Sequence, residues 1–170
     1  MHVAFRRGDV VCDVSVVASK IDERSCMSPE EHLARSAIAK TLGECTQAGD
    51  ARKAEAYARC FTPQGVLELD DAKYEGRDAI RDMMVAPSPI RQPDGPSPGF
   101  VSHHLTTCKI EFTSPTTAKV RTYWLVTTAV GLDHNGYYDD RFEKCGDEWL
   151  IAYRRPRTLW KSPNSLVGRG

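Results

Sequence analysis

Between Phe100 and Arg154 this chain has little choice of structure. Four runs rich in β-branched and aromatic residues, 101–112, 117–130, 136–144 and 148–154, are separated by short polar breaks. The breaks are Ser114-Pro115-Thr116, Asp133-His134-Asn135-Gly136 and Cys145-Gly146-Asp147. Gly, Pro, Asn and Asp there supply the backbone conformations that hairpin turns need. The pattern predicts four antiparallel strands in sequence order. A curled sheet of this kind with polar groups on its concave face forms a pocket for a small molecule, and that directs the search for function.

Length and charge narrow the classes further. A chain of 170 residues suits one domain with a sizeable core. Lys+Arg and Asp+Glu both number 23, and no run of one sign stands out, which argues against a broad nucleic-acid footprint. No apolar stretch approaches the roughly 20 residues that span a bilayer. The short run Val10-Val11-Cys12 is interrupted by Asp9 and Asp13 and does not resemble a signal peptide, so a cytoplasmic location is the simplest expectation. The 6 cysteines are scattered without Cys-x-x-Cys spacing and read as reduced, half-buried residues.

Residues 1–26 stand apart as an N-terminal extension that the sequence does not place; the domain is expected over 27–160, with 161–170 as a tail. Ser28-Pro29-Glu30-Glu31 is a capping box with Pro at the first helical position. Leu33, Ala34, Ala37, Ile38, Thr41, Leu42 and Cys45 follow at helical spacing, and this helix is expected to end near Ala48-Gly49. Asp50 is read as the cap of a second helix that buries Ala54, Tyr57, Ala58 and Phe61. A strand over 66–70 and a short helix over 77–84 come next. Residues 86–99, with five prolines and two glycines, are expected as an irregular loop beside the pocket mouth. Helix, helix, strand, helix and four antiparallel strands make an α+β layout with about three helices packed on a strongly bent, mostly antiparallel sheet.

Six motifs occur in an order that carries a resemblance. They are Thr46-Gln47-Ala48-Gly49-Asp50 with Cys60-Phe61-Thr62-Pro63-Gln64-Gly65-Val66-Leu67-Glu68; Tyr74-Glu75-Gly76-Arg77-Asp78-Ala79-Ile80; His103-His104-Leu105-Thr106-Thr107; Gly136-Tyr137-Tyr138-Asp139-Asp140; and Trp149-Leu150-Ile151-Ala152-Tyr153-Arg154. Together, across about 30–157, they resemble the SnoaL-like branch of the nuclear transport factor 2-like superfamily. The resemblance implies a cone-shaped barrel with a pocket in its open end, a small and largely apolar ligand, and a homodimer or homotrimer formed through the outer sheet face.

His103 is the first candidate for chemistry. In similar scytalone dehydratases and hexachlorocyclohexane dehydrochlorinases, a His at the matching strand position is general base or acid, a role suited to an imidazole near neutral pH. Adjacent strand residues face opposite ways, so His103 and His104 cannot both enter the pocket or chelate one metal together. His103 is favoured as the catalytic member, with His104 as a substrate-binding candidate. The resemblance places Gln47 where the relatives carry the Asp that orients the His, and Gln can hold an imidazole but cannot stabilise an imidazolium as a carboxylate does. Of Asp139 and Asp140 one must face inward, either to orient the His, to act as base, or to pair with Arg141 or Arg154. Arg154 matches a pocket-lining Arg of the dehydrochlorinases and would bind an anionic leaving group or an oxyanion. Tyr123 falls where a scytalone dehydratase has its second His, and Tyr57 joins it among the substrate-binding candidates. His134, in an expected turn, and His32 read as exposed.

No glycine-rich phosphate loop, His-Glu-x-x-His or nucleophile elbow is present, and nothing suggests a nucleotide, flavin or metal. Cofactor-independent acid–base chemistry of the dehydratase, other lyase, isomerase or cyclase type is the leading expectation. The alternative is a non-catalytic ligand-binding or dimerisation module on the same fold. A polar-lined cavity would favour the first and a pocket plugged by apolar side chains the second.

Overall fold

The computed structural model describes residues 27–87 and 100–167, so the extension over 1–26 and most of the Pro-rich loop lie outside the described residues. Helix α1, Pro29–Asp50, starts as the capping box dictates: the Glu31 N–H donates to Ser28 Oγ at 3.1 Å, with Glu30 and Glu31 in the positive first turn. It runs on to Asp50 itself. Helix α2, Ala54–Arg59, is capped at Lys53 without a side-chain bond, so Asp50 closes the first helix instead of opening the second. That single shift frees its carboxylate for another partner.

Strand β1, Phe61–Glu68, begins five residues before the strand expected over 66–70, and takes in Thr62-Pro63-Gln64-Gly65. Its register against the last strand shifts between Phe61 and Val66. The Pro and Gly therefore occupy an irregularity in a strand, where a missing N–H donor is tolerated. Short β2, Lys73–Glu75, leads into α3, Gly76–Val85, whose first residue has φ +83° and so favours glycine.

Strands β3 (Val101–Ser114), β4 (Thr117–Thr128), β5 (Gly131–Cys145) and β6 (Glu148–Lys161) form the expected antiparallel succession. The full sheet runs β2-β1-β6-β5-β4-β3, with β1 parallel to β6 and every other pair antiparallel. The architecture is α+β with three helices among the described residues, and the mixed sheet stays open between edges β2 and β3 rather than closing into a barrel.

One turn falls elsewhere than expected. The β4–β5 hairpin bends at Ala129-Val130, with Gly131 at φ +88°, and Asp133-His134-Asn135-Gly136 continues as strand. Gly136 has a different reason for being glycine. It sits at a register shift against β6, where a Cβ would press into the Arg157 carbonyl oxygen and the Trp124 ring. Gly136→Ala is expected to destabilise the protein by about 3 kcal/mol or more, because backbone cannot yield as a side chain can. Gly43→Ala, in α1 with nothing near its Cβ position, is expected to stabilise by about 0.5–1 kcal/mol. Urea denaturation of the two variants checks the contrast.

Side-chain alternation along β4 puts Ala118, Val120, Thr122, Trp124 and Val126 on the inner face. The main core joins Ile38, Leu42 and Cys45 of α1, Ala58 and Ile80 of the other helices, and Phe61, Leu67, Val120, Phe142 and Ile151 of the sheet. The Thr41 hydroxyl donates to the Trp149 carbonyl at 2.7 Å and ties α1 to β6. Further along β4, Trp124, Val126 and Tyr138 form a separate buried group. The core thus fills one end of the inner face, and a cavity occupies the other. No helix among the described residues is long and apolar enough to cross a membrane.

Candidate functional site

That cavity measures about 590 Å³ and lies between the C-terminal end of α1, α3 and the inner faces of β3 to β6. Its wall is mainly apolar, with Leu67, Leu69, Met83 and Met84 on one side. Polar groups at the wall are Asp50, Tyr57, His103, His134, Tyr138 and Arg154, together with Thr46, Arg52 and Thr158. A few convergent polar groups in an apolar hollow is the usual form of a small-molecule site.

His103 enters from β3, and Asp50 meets it from the end of α1. His103 Nδ1 lies 2.6 Å from Asp50 Oδ1, while the His103 backbone N–H donates to Asp50 Oδ2 at 2.9 Å. Both carboxylate oxygens therefore hold the same residue, which fixes the ring and puts its proton on Nδ1. Nε2 has no protein partner among the described residues and belongs to the cavity wall. Asp50 thus fills the orienting role for which Gln47 was the candidate. Gln47 is exposed on the outer side of α1 and lines a surface groove with Lys40, Glu44 and Glu148. The Gly49-Asp50 pair closing the helix was the sequence signal for this contact, but read locally it looks like a helix cap.

Asp140 is the inward member of its pair, and its partner is Arg154, directly across the β5–β6 register. Arg154 Nε donates to Oδ1 at 3.0 Å and Nη2 to Oδ2 at 2.7 Å, while Nη1 donates to Cys45 Sγ at 3.3 Å. The guanidinium also lies 4.2 Å from the Tyr138 ring centroid. Burial pushes the Asp140 carboxyl up and the guanidinium draws it back; in turn Asp140 keeps Arg154 firmly protonated against its own burial. An arginine so engaged supports the cavity floor as a neutralised pair rather than offering a free charge to an anion. Burial also holds the Tyr57 and Tyr138 phenols above their ordinary range, so both remain hydroxyl donors at neutral pH.

Besides Gln47, three candidates lie outside. Asp139 faces outward and accepts from Arg121 Nε at 2.9 Å and Nη2 at 2.7 Å. Tyr123 is exposed on the same outer face, its ring 5.6 Å from that of Tyr137. His104, also exposed, reaches Thr127 Oγ1 at 3.2 Å. All three follow from strand alternation, since their neighbours Asp140, Trp124 and His103 point inward. A shallow charged depression of about 720 Å³ on this outer face is lined by Lys109, Glu111, Lys119, Arg121 and Asp139, whose carboxylate is taken up by Arg121.

His134 reverses its sequence reading. It is 8% exposed and lines the cavity, because the hairpin turns before it. Its Nδ1 lies 2.7 Å from Asp133 Oδ1, and Asp133 is fully buried behind it. Burial raises the Asp133 carboxyl, but donors from the Leu166 N–H, Ser165, His134 and Thr128 outweigh that and hold it below the usual range. Burial likewise lowers His134 against the pull of Asp133, leaving a neutral ring at neutral pH with its proton on Nδ1. The same carboxylate binds residues 162–167 back onto β5, with Ser165 Oγ at 2.6 Å and Leu166 N at 2.8 Å, and brings Val167 to the cavity wall. The segment read as a tail is therefore part of the site as far as 167. Among the described residues no three His, Cys, Asp or Glu side chains gather into a metal-binding set.

Comparison with known proteins agrees with this fold. No protein of curated function matches the chain in sequence. A protein of unknown function from Mycobacterium tuberculosis is 27% identical over 78% of this chain and 77% of its own, with a TM-score of 0.66. A scytalone dehydratase candidate from Novosphingobium aromaticivorans is 20% identical, covering 85% and 99%, with a TM-score of 0.65. A hexachlorocyclohexane dehydrochlorinase from Novosphingobium barchaimii is 16% identical, covering 83% and 97%, at 0.66. The last two share the fold alone at such identities. Residues 30–155 match the model of the SnoaL-like domain, from the first turn of α1 to the strand that carries Arg154, and the chain belongs to the SnoaL-like domain family.

Proposed function

We propose that this protein is a cofactor-independent enzyme that moves a proton on a small, largely apolar, ring-bearing compound, by elimination, isomerisation or cyclisation. The observation that carries the reading is the His103–Asp50 pair at the wall of an apolar cavity. His103 Nε2 removes a proton from a carbon made acidic by a neighbouring carbonyl or similar group. The electron pair left behind then forms a double bond, with departure of a leaving group or return of the proton at another carbon. Asp50 holds the Nδ1 proton and stabilises the imidazolium as it forms. The Tyr57 and Tyr138 hydroxyls are donors available to developing negative charge, with Arg52 also at the wall. Asp140 and Arg154 act by holding Tyr138 and the floor in place.

A cavity that keeps titratable groups at its wall favours an enzyme over a purely binding or dimerisation module on this fold. The outer face of exposed Tyr123 and Arg121 with half-buried Tyr137 suits the homodimer or homotrimer that the family resemblance implies.

The test starts with mass spectrometry of small molecules that co-purify with the protein. Those compounds, and a panel of cyclic ketones and hydroxyketones, are then incubated with enzyme in deuterium oxide. Enzyme-dependent deuterium uptake or loss of a leaving group supports the proposal. Tight binding of a co-purified compound with neither exchange nor turnover would establish the binding module instead.

A further inference from the structure

The β-sheet register puts a second imidazole on the same inner row as the first. His103 pairs with Val126, and Val126 pairs with His134, so the two histidines stand two strands apart, roughly 10 Å at the backbone. Both rings pack against Trp124, with centroids at 6.3 Å for His103 and 5.4 Å for His134. Each donates Nδ1–H to a carboxylate behind it, Asp50 in one case and Asp133 in the other. The Nε2 atom of His134, like that of His103, has no protein partner among the described residues, and its ring lines the cavity whereas Asp133 does not.

We propose that His134 is the specificity-determining residue of this cavity: its Nε2 accepts a hydrogen bond from a hydroxyl group carried by the ligand, about two strand widths from His103. The inference rests on reading the cavity as a small-molecule site and not on any turnover. It narrows the substrate class to hydroxylated ring compounds long enough to present a hydroxyl at one end and the reacting carbon at the other. A neutral ring that cannot donate from Nε2 selects a donor. The ionised Asp133, saturated by four donors, fixes that polarity because it cannot lend the ring a second proton. Ethers and carbonyls of the same shape would leave both Nε2 and their own oxygen without a donor.

A matched pair of probes isolates the contact. The full chain is titrated calorimetrically with para-phenylphenol and with its methyl ether, which differ in one hydrogen-bond donor. Wild type is expected to bind the phenol about tenfold more tightly than the ether, the worth of one well-made hydrogen bond. His134→Phe is expected to bring the two within about twofold while retaining the ether's affinity, and His103→Gln to keep the phenol preference. A preference that survives in His134→Phe, or vanishes in His103→Gln as well, overturns the assignment. So does an indifferent wild type, or failure of both compounds to bind at millimolar concentration.

Loss of the fold in His134→Phe is bypassed by nitrogen-15 spectra of wild-type protein labelled at histidine, with the His103 signals identified from His103→Gln. The Nε2 resonance of His134 is expected to move upfield with the phenol and to stay in place with the ether. A shift at His103 alone would refute the proposal. Because these readouts are binding and a resonance, they stand or fall separately from deuterium exchange, which tests catalysis.

Discussion

Replacing His103 with Ala is expected to lower turnover on an identified substrate by about 10²–10⁴-fold, the range for removal of a positioned acid–base group. His103 supplies the free Nε2 of a ring whose other nitrogen is tied to Asp50 at 2.6 Å. Asp50→Asn keeps the shape but removes the negative charge that steadies the imidazolium. A charge-assisted hydrogen bond contributes about 1.5–3 kcal/mol, so this variant is expected to lose about 10–100-fold in kcat with little change in KM. His104→Ala, on the exposed face, is expected to stay within about twofold of wild type. Steady-state kinetics on the three variants decides the matter. Full activity in His103→Ala, or an Asp50→Asn loss that appears in KM and not kcat, would remove the pair from the chemistry.

Asp140→Asn is expected to be the most destabilising of the conservative substitutions at the site, by about 3–5 kcal/mol, or roughly 10 °C in Tm. The pair is deeply buried, with Arg154 at 2% and Asp140 at 3% exposure, and the two strands set the groups opposite each other. Removing one charge strands the other in the core beside Cys45 and Tyr138. Removing both, in Asp140→Asn with Arg154→Met, is expected to restore most of the loss, since a neutral pair of similar volume has no stranded charge. Thermal denaturation of the single and double variants provides the measurement. An Asp140→Asn protein within 1 kcal/mol of wild type would mean that water reaches the guanidinium, and the cavity floor would have to be redrawn.

Much of this fold was legible because its signals are local. The capping box set the start of α1, and Gly146-Asp147 set the β5–β6 turn. Period-two alternation required that only one of Asp139 and Asp140 face inward, and the residue opposite Arg154 in the register is the buried one. The misplaced hairpin has an equally plain cause. Asn135-Gly136 is a strong turn signal, yet Gly131 directly after the bend supplied another, and nothing nearby in sequence ranks them. Ranking came from burial: Asp133 finds donors on Thr128, Ser165 and Leu166, and Gly136 leaves room for both the Arg157 carbonyl of β6 and the Trp124 ring.

By itself the sequence determined the three helices, the four long C-terminal strands, their order and the opposite facing of neighbours such as Asp139 and Asp140, because helix caps, turn residues and alternation act over a few positions along the chain. Tertiary structure decided which of these side chains meet. Asp50 and His103 are 53 residues apart, and a carboxylate at a helix end looks the same whether it caps the next helix or grips an imidazole. The choice between those partners depended on where α1 ends relative to β3, a distance fixed by packing against the whole core and by no segment alone.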